Sequence, residues 1–438
     1  VYYYGNNNIC CIFMYSIVRE IFLMKTIIKR SMAEERYSGD KIVKAMEKAF
    51  ISVGVEHDAD LIADLLRQVE AEFADREQAG VEEIQDAVER VMMANGCFDA
   101  AKSYILYREK RAEMRKIREA LVAEIGDENL LPVLASIQSS YEHYDLTRLE
   151  AKYIAMQKPD STIDARLELL TKSAAELTTQ EEPNWEKIAG RLLYYTFSRE
   201  LKKTEENYGL TSFYEKLRYL TSEGLYGKYI LDSYSKKEIE EAFEFIDDER
   251  NNLYTYAGLD LLISRYLIHN RSHVVLESPQ EMYLGIALHL ALKEGEDRMT
   301  WVRKFYDIMS LQKVTMATPT QSNARKPYHQ LSSCFIDTVP DSLDGIYSSV
   351  SKFADVSKFG GGMGMYFGKV RSRGGSIRGF EGASGGVIRW IRVVNDTAVA
   401  VDQLGMRQGA VAVYLDAWHK DLPEFLQLRT NNGDDRMK

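Results

Sequence analysis

Beyond about Leu311 the sequence alternates between short apolar runs of β type and helical stretches, and this alternation constrains the fold more than any other feature. The apolar runs are SCFIDTV, GMGMYFGKV and GAVAVYLDAW, and helical patterns separate them at residues 342–358 and 386–400. Such alternation is typical of an α/β domain with parallel strands. Both faces of a parallel sheet are normally covered by helices, and two helices are too few to cover both faces of three strands. We therefore expect residues 311–438 to form an incomplete α/β domain.

The residues before this region predict helical domains. Residues 24–118 begin with a short hairpin pattern and continue as amphipathic helices such as GDKIVKAMEKAFISVG. Residues 119–310 are helical in pattern, and SPQEMYLGIALHLAL has the Ser-Pro start of a strongly apolar helix. With 438 residues, 45% of them hydrophobic, the chain can bury several cores. The sequence thus predicts an α+β protein of several domains.

The first 23 residues differ from the rest of the chain. They lack the basic start and the small-residue cleavage site of a signal peptide. Arg19 and Glu20 interrupt their apolar run too early for a membrane span. We interpret residues 1–23 as a non-native or disordered extension before Met24, without a function, and we expect no membrane partner.

Charge and cysteine content exclude several classes of protein. The net charge of -10 argues against a surface that coats DNA, although a local pocket for a small phosphate compound remains open. The four cysteines form no CxxC pair and no Cys/His cluster at zinc spacing. We therefore predict no structural metal site, no disulfide scaffold and a cytoplasmic location.

Eleven of the 28 glycines lie within residues 358–386. Their spacing is neither a dinucleotide fingerprint nor a P-loop, because glycine follows Gly364 only at position 368 and Val370 stands where Ser or Thr would bind magnesium. Tight turns and close strand packing would explain the glycines equally well. The interspersed arginines favour an anion site, since a guanidinium matches phosphate oxygens.

Other candidate sites have an equally ordinary alternative. Residues 403–409, with Gln403 and Arg407, could read a base and a phosphate or could be a polar surface loop. One cysteine in a strand, Cys334, is usually buried and inert. The basic residues near the start of the chain and on the helix ending near residue 118 could bind a polyphosphate or form a solvated face.

Taken together, these stretches resemble the large, catalytic subunit of ribonucleotide reductase. The resemblance is carried by LSSCFIDTVPDSLDGI, FGGGMGMYFGKVRSRGGSIRG and AVDQLGMRQGAVAVYLDAWHKDLPEFLQLRTNNGDDR, which match in order and spacing. Residues 24–118 resemble the ATP-cone of that family and residues 119–310 its helical N-terminal domain. The resemblance implies that residues 311–438 are the first part of a ten-stranded α/β barrel.

The same resemblance implies roles for individual residues. Cys334 would be one of two cysteines that reduce the ribose, and Asp341 and Arg371 would bind the specificity effector through its ribose or base and its phosphate. Helices at 342–358 and 386–400 would pair two large subunits. The implied substrate residues are Thr318, Ser333, Gly361, Gly362, Gln403 and Arg407. The implied ATP-cone residues are Lys29, Arg30, Lys41, Gln85, Tyr107 and Lys110.

The family's radical cysteine lies on a finger loop with an Asn-x-Cys-x-Glu pattern, which does not occur in this sequence. We therefore expect the chain to be the N-terminal part of a truncated or split enzyme of deoxyribonucleotide biosynthesis, inactive by itself. The implied effectors are ATP, dATP and other deoxynucleoside triphosphates. The implied partners are a metal-containing small subunit that supplies the radical, a second large subunit, a C-terminal half, and thioredoxin or glutaredoxin. Adenosylcobalamin is the less favoured radical source, and a non-catalytic ATP-cone regulator is the alternative function.

Overall fold

The computed structural model describes residues 26–29, 33–402 and 408–430 of the chain. The described residues belong to two compact units, with the boundary between Glu124 and Ile125. None of the described helices is long and apolar enough to cross a membrane. The elements of the first unit are β1 (Thr26–Ile28), β2 (Glu34–Arg36), α1 (Gly39–Ser52), α2 (Ala59–Ala71), β3 (Gln78–Gly80), α3 (Val81–Ala94) and α4 (Phe98–Ile125), which ends at the boundary.

The first unit is a small sheet with amphipathic helices. Strand β1 pairs antiparallel with β2 and parallel with β3, so the hairpin predicted at its start is confirmed. Helices α1, α2 and α3 bury Met46, Leu65 and Met92 in one core. Helix α2 begins where the Asp58 carboxylate accepts a hydrogen bond from the Leu61 amide, which satisfies a donor of the first turn.

The second unit starts with a helical part. Its most buried helix, which the sequence predicted from its Ser-Pro start, has Ser278 and Glu281 in a reciprocal capping box and Pro279 in the first turn. A π-helical turn at Leu262–Tyr266 and 3₁₀ helices at Asp248–Leu253, Ala291–Lys293 and Gly295–Asp297 connect the longer elements. The α-helices are α5 (Leu130–Ser140), α6 (Leu146–Met156), α7 (Ile163–Ala175), α8 (Trp185–Tyr208), α9 (Phe213–Ser222), α10 (Lys228–Ser233), α11 (Lys236–Phe243), α12 (Tyr256–Leu261), α13 (Pro279–Leu290), α14 (Arg298–Ser310) and α15 (Thr318–Asn323).

A three-stranded parallel sheet follows in the same unit, in the order β4-β5-β6. Helices pack on one face of it and bury Phe353, Met365 and Val394. The predicted alternation of parallel strands and helices is therefore confirmed, and the strands of the described residues do not close into a barrel. The elements are β4 (Cys334–Thr338), α16 (Leu343–Lys358), β5 (Gly362–Tyr366), α17 (Val387–Ala400), β6 (Val411–Tyr414) and α18 (Leu422–Gln427).

Candidate functional site

Cys334 is the first residue of β4 and lies on the face of the sheet that the helices leave open. Its side chain is exposed, as is that of Ile336, which points the same way and is 89% exposed. Phe335, between them, packs against the helix-covered core. Alternate residues of a strand point to opposite faces, so the thiol belongs to the open face. The usual expectation that one cysteine in a strand is buried therefore does not hold for Cys334.

Ser333 and Gly362 are the immediate neighbours of this thiol. The Ser333 Oγ atom lies 3.5 Å from Cys334 Sγ, and the Gly362 amide donates to the Ser333 carbonyl at 2.8 Å. Cys334 is paired in register with Gly362 on the adjacent strand. The structure thus brings three of the predicted site residues to one end of the β4–β5 pair.

The two predicted glycines of this site have different surroundings. A Cβ atom on Gly361 would lie 2.8 Å from Val356 Cγ1 and 2.9 Å from Phe335 Cε2, closer than real contacts allow. On Gly362 it would meet only carbonyl oxygens, at 3.6 Å or more, which is an ordinary contact distance. Gly361 therefore allows α16 to pack against the sheet, whereas Gly362 keeps the open face beside Cys334 uncovered.

Thr318 is the first residue of the short helix α15, and this helix is hydrogen-bonded to the segments that lead into β4 and β5. Asn323, at its other end, donates from Nδ2 to the Gln330 carbonyl at 2.9 Å and to the Phe359 carbonyl at 3.2 Å. Gln330 leads to Ser333, and Phe359 leads to the two glycines. Asn323 is 3% exposed. Its amide therefore links the candidate substrate segments, a function that no sequence pattern indicated.

Asp341 and Arg371 are in direct contact. They lie in the loops that follow β4 and β5, and the Arg371 Nε atom donates to Asp341 Oδ2 at 2.8 Å and to Oδ1 at 3.1 Å. The Arg371 amide also donates to this carboxylate, and its guanidinium donates to the Ser376 carbonyl. Both side chains are partly exposed. The structure thus brings the two residues predicted to bind the effector together, with the guanidinium bound to the carboxylate.

In the first unit, Lys29 and Lys41 meet at Glu35. The Lys41 Nζ atom lies 2.8 Å from Glu35 Oε1, and the Lys29 Nζ atom lies 3.2 Å from Glu35 Oε2. The hydrogen bond from Lys41, followed by that from Lys29, lowers the pKa of the Glu35 carboxyl below its usual value. Glu35 was not predicted as a site residue, because strand β2 showed no motif that would distinguish it from a solvated carboxylate.

Tyr107 and Lys110 lie on α4 and line a cleft of about 680 Å³. The adjacent Arg108 fixes α4 to α3 by ion pairs with Glu82 and Glu89, at 2.5 and 2.7 Å, and with Asp86. Partial burial opposes the charge of Arg108, but the three carboxylates outweigh it and raise its pKa. The cleft is lined by Val53, Asp99, Lys102, Ser103, Leu106, Tyr107 and Lys110.

The remaining candidates are Gln85, Arg30, Gln403 and Arg407. Gln85 lies on α3 and is partly buried. Arg30, Gln403 and Arg407 lie outside the described residues, as does the extension at residues 1–23.

Comparison with known proteins identifies the class to which these domains belong. Family models match the ATP cone domain at residues 25–113, the all-alpha domain of ribonucleotide reductase at residues 252–329, and its barrel domain at residues 332–438. Together the matched ranges cover more than half of the chain. The chain belongs to the ribonucleotide reductase family.

Curated relatives give a more particular likeness. The chain is similar to the ribonucleoside-diphosphate reductase subunit alpha of Treponema pallidum (strain Nichols), with 53% identity over 421 residues that cover 94% of this chain and 50% of the relative. The subunit alpha of Chlamydia muridarum is 34% identical, with 94% of this chain and 42% of the relative covered. That of Escherichia coli (strain K12) is 30% identical over 61% of this chain. The chain spans about half the length, or less, of these relatives.

Proposed function

We propose that this chain forms part of a ribonucleoside-diphosphate reductase and supplies one reducing thiol, part of the substrate site and two effector sites. The observation that carries the proposal is the position of Cys334, exposed on the open face of a parallel sheet beside Ser333 and Gly362. Helix α15 with Thr318 is tied to the same strand ends. A substrate on this face would have a thiol, hydroxyl groups and backbone within reach.

The proposed reaction replaces the 2′-hydroxyl group of a ribonucleoside diphosphate by hydrogen. A thiyl radical removes the 3′-hydrogen and later returns it, and water leaves from C2′. Two thiols supply the two electrons and become a disulfide. Cys334 is one of these thiols, and it is the sole cysteine of residues 332–438. The second reducing cysteine and the radical cysteine therefore come from another polypeptide segment.

The proposed partners follow from this chemistry. A metal-containing small subunit generates the radical, with adenosylcobalamin as the less favoured source, and thioredoxin or glutaredoxin reduces the disulfide. A second large subunit packs on α16 and α17, which expose Leu343, Tyr347 and Val399. Leu343 and Tyr347 lie one turn apart on the same face of α16, and exposed apolar side chains on one face favour a protein contact.

Two classes of effector are proposed. ATP or dATP binds the first unit, where Lys29 and Lys41 offer cations and Tyr107 an exposed ring. A deoxynucleoside triphosphate binds at Asp341 and Arg371, where its phosphate replaces the carboxylate as the partner of the guanidinium. Gln403 and Arg407 transmit the identity of this effector to the substrate.

The experiment that tests the proposal measures dCDP formed from CDP with a chemical reductant. The purified chain is assayed alone and after addition of a polypeptide with the finger loop and the second cysteine, together with the radical-generating subunit. Activity is expected only in the combined sample. Cys334→Ser should abolish it, and Cys97→Ser, in the first unit, should not. Reduction by the chain alone, or activity that survives Cys334→Ser, would contradict the proposal.

A further inference from the structure

The hydroxyl group of Tyr266 lies beside the candidate substrate residue Thr318. The two side-chain oxygens, Tyr266 Oη and Thr318 Oγ1, are 3.2 Å apart, and either of them can donate the hydrogen bond. Tyr266 is the last residue of the π-helical turn Leu262–Tyr266 and is only partly buried. Turns of this kind are rare and occur frequently at functional sites.

A single buried guanidinium holds Tyr266 and the helix of Thr318 together. Arg325 is fully buried, and its Nη2 atom donates to the Tyr266 carbonyl at 2.9 Å. Its Nη1 atom donates to the Gln321 carbonyl, within α15, at 2.6 Å. The π-helical turn and α15 are therefore bound to the same planar group, which fixes the position of one relative to the other.

Glu277, the acidic partner of Arg325, holds the backbone that follows Tyr266. Glu277 is 2% exposed and accepts from Arg325 Nε at 2.6 Å and from Nη2 at 2.5 Å. The same carboxylate accepts from the Ile268 amide at 3.1 Å. The Tyr266 carbonyl and the Ile268 amide, at the end of the π-helical turn, are thus anchored to one ion pair, which fixes the backbone of Tyr266 relative to α15.

We infer that Tyr266 is a positioning residue of the substrate site, whose hydroxyl donates to Thr318 Oγ1 and directs the Thr318 proton toward a phosphate oxygen. The inference rests on the proposed function. A phosphate oxygen can only accept hydrogen bonds, and a threonine hydroxyl has one proton to give. When Tyr266 donates to the Thr318 oxygen, the Thr318 proton points away from Tyr266 and can be given to a phosphate oxygen of the substrate. Without Tyr266, the Thr318 hydroxyl can rotate toward other acceptors.

The test measures CDP binding, by titration calorimetry, to the purified chain combined with the polypeptide that carries the finger loop and the second cysteine. Tyr266→Phe should weaken binding about five- to tenfold, the value of one hydrogen bond. In a Thr318→Val background the same change should have no further effect, because the hydroxyl that Tyr266 orients is absent. Tyr234→Phe is the matched control: it removes a buried hydroxyl that donates to the Leu288 carbonyl at 2.8 Å, and it should leave the affinity for CDP unchanged.

The outcomes separate this inference from the proposed function. If the unmodified combined sample binds no CDP, or binds it equally well after Thr318→Val, the proposed substrate site is wrong and the role of Tyr266 is wrong with it. If Thr318→Val weakens binding and Tyr266→Phe does not, only the role of Tyr266 is wrong. If the effects of the two changes simply add, Tyr266 has a general structural role and the inference is also overturned.

Discussion

At the scale of single residues, Gly361 and Gly362 show how differently two adjacent glycines are used. The first faces Val356 and Phe335 in the packed side of the sheet, and the second lies opposite Cys334 on the open side. Of these two glycines, only Gly361 is required for the close packing of α16 against the strands. The two positions form a matched pair for mutation.

Gly361→Ala is expected to destabilise the chain by about 1–3 kcal/mol, because the new methyl group must displace Val356 or Phe335. Gly362→Ala, at an ordinary contact distance from its neighbours, should change the free energy of unfolding by less than about 1 kcal/mol. Urea unfolding followed by circular dichroism measures both values. Equal effects of the two substitutions would contradict the prediction that close packing at Gly361 contributes to the stability of the chain.

Another residue-scale prediction concerns His289 at the end of α13. Its Nδ1 atom lies 2.7 Å from the Tyr229 hydroxyl, and the centroid of the His329 ring lies 5.3 Å from that of His289, with the two rings tilted by 58°. Burial, and then the proximity of His329, lower the pKa of His289 to about 4. The unfolded chain has the ordinary, higher value, so it binds a proton at a pH where the folded chain does not. Stability should therefore fall as the pH decreases from about 6.5 toward 4.

Between pH 7 and pH 5 the titration of His289 should decrease the free energy of unfolding by roughly 1 kcal/mol, after allowance for the partial exposure of this side chain. Urea unfolding of the wild type and of His289→Asn at several pH values measures the difference. The His289→Asn variant should lose less stability on acidification than the wild type. The control variant His143→Asn, at an exposed position, should have the same pH dependence as the wild type. Identical pH profiles for the wild type and His289→Asn would exclude His289 as the source.

At the scale of secondary-structure elements, the Arg325–Glu277 ion pair connects α15 to the π-helical turn. Both side chains are almost completely buried. Removing one partner leaves an unpaired charge in the interior, which typically decreases the free energy of unfolding by about 3–5 kcal/mol. Arg325→Met is therefore expected to be strongly destabilising when measured by thermal or urea unfolding.

The double variant Arg325→Met/Glu277→Leu should recover much of the lost stability, since it buries no charge. If the double variant is no more stable than Arg325→Met, the hydrogen bonds to the Tyr266 and Gln321 carbonyls account for the loss instead. The exposed pair Arg67–Asp64 is a control, and breaking it should cost less than about 1 kcal/mol.

The bounds of the elements were more predictable than their contacts. The helical patterns at 342–358 and 386–400 correspond to α16 and α17, because apolar periodicity is a local property of the sequence. The exposure of Cys334 could not be predicted, since it depends on which face of the sheet the helices cover. The contacts of Asn323 and Tyr266 join residues distant in sequence through single amide or hydroxyl groups, which leave no periodic signal.

At the scale of the whole molecule, assembly is the property to test. The proposed pairing of two large subunits predicts that the chain self-associates through α16 and α17. Val399 is 75% exposed on α17, so Val399→Lys should leave the fold intact and decrease the dimer fraction. Sedimentation velocity over a range of concentrations measures this fraction.

Ile154→Lys, at an exposed apolar position on α6, is the matched control and should leave the dimer fraction as it is in the wild type. A chain that is monomeric at all concentrations, or a dimer insensitive to Val399→Lys, would argue against pairing through these helices. Circular dichroism of both variants verifies that the helices remain folded.

The order β4-β5-β6 has a consequence for the synthesis of this polypeptide. Within the described residues, β4 and β6 each pair on one side only, so their outer amide and carbonyl groups remain available. Such edges template the addition of further strands, whether from the correct partner or from another copy of the same chain. Production of this chain in cells should therefore yield more soluble protein when a polypeptide that completes the sheet is made at the same time.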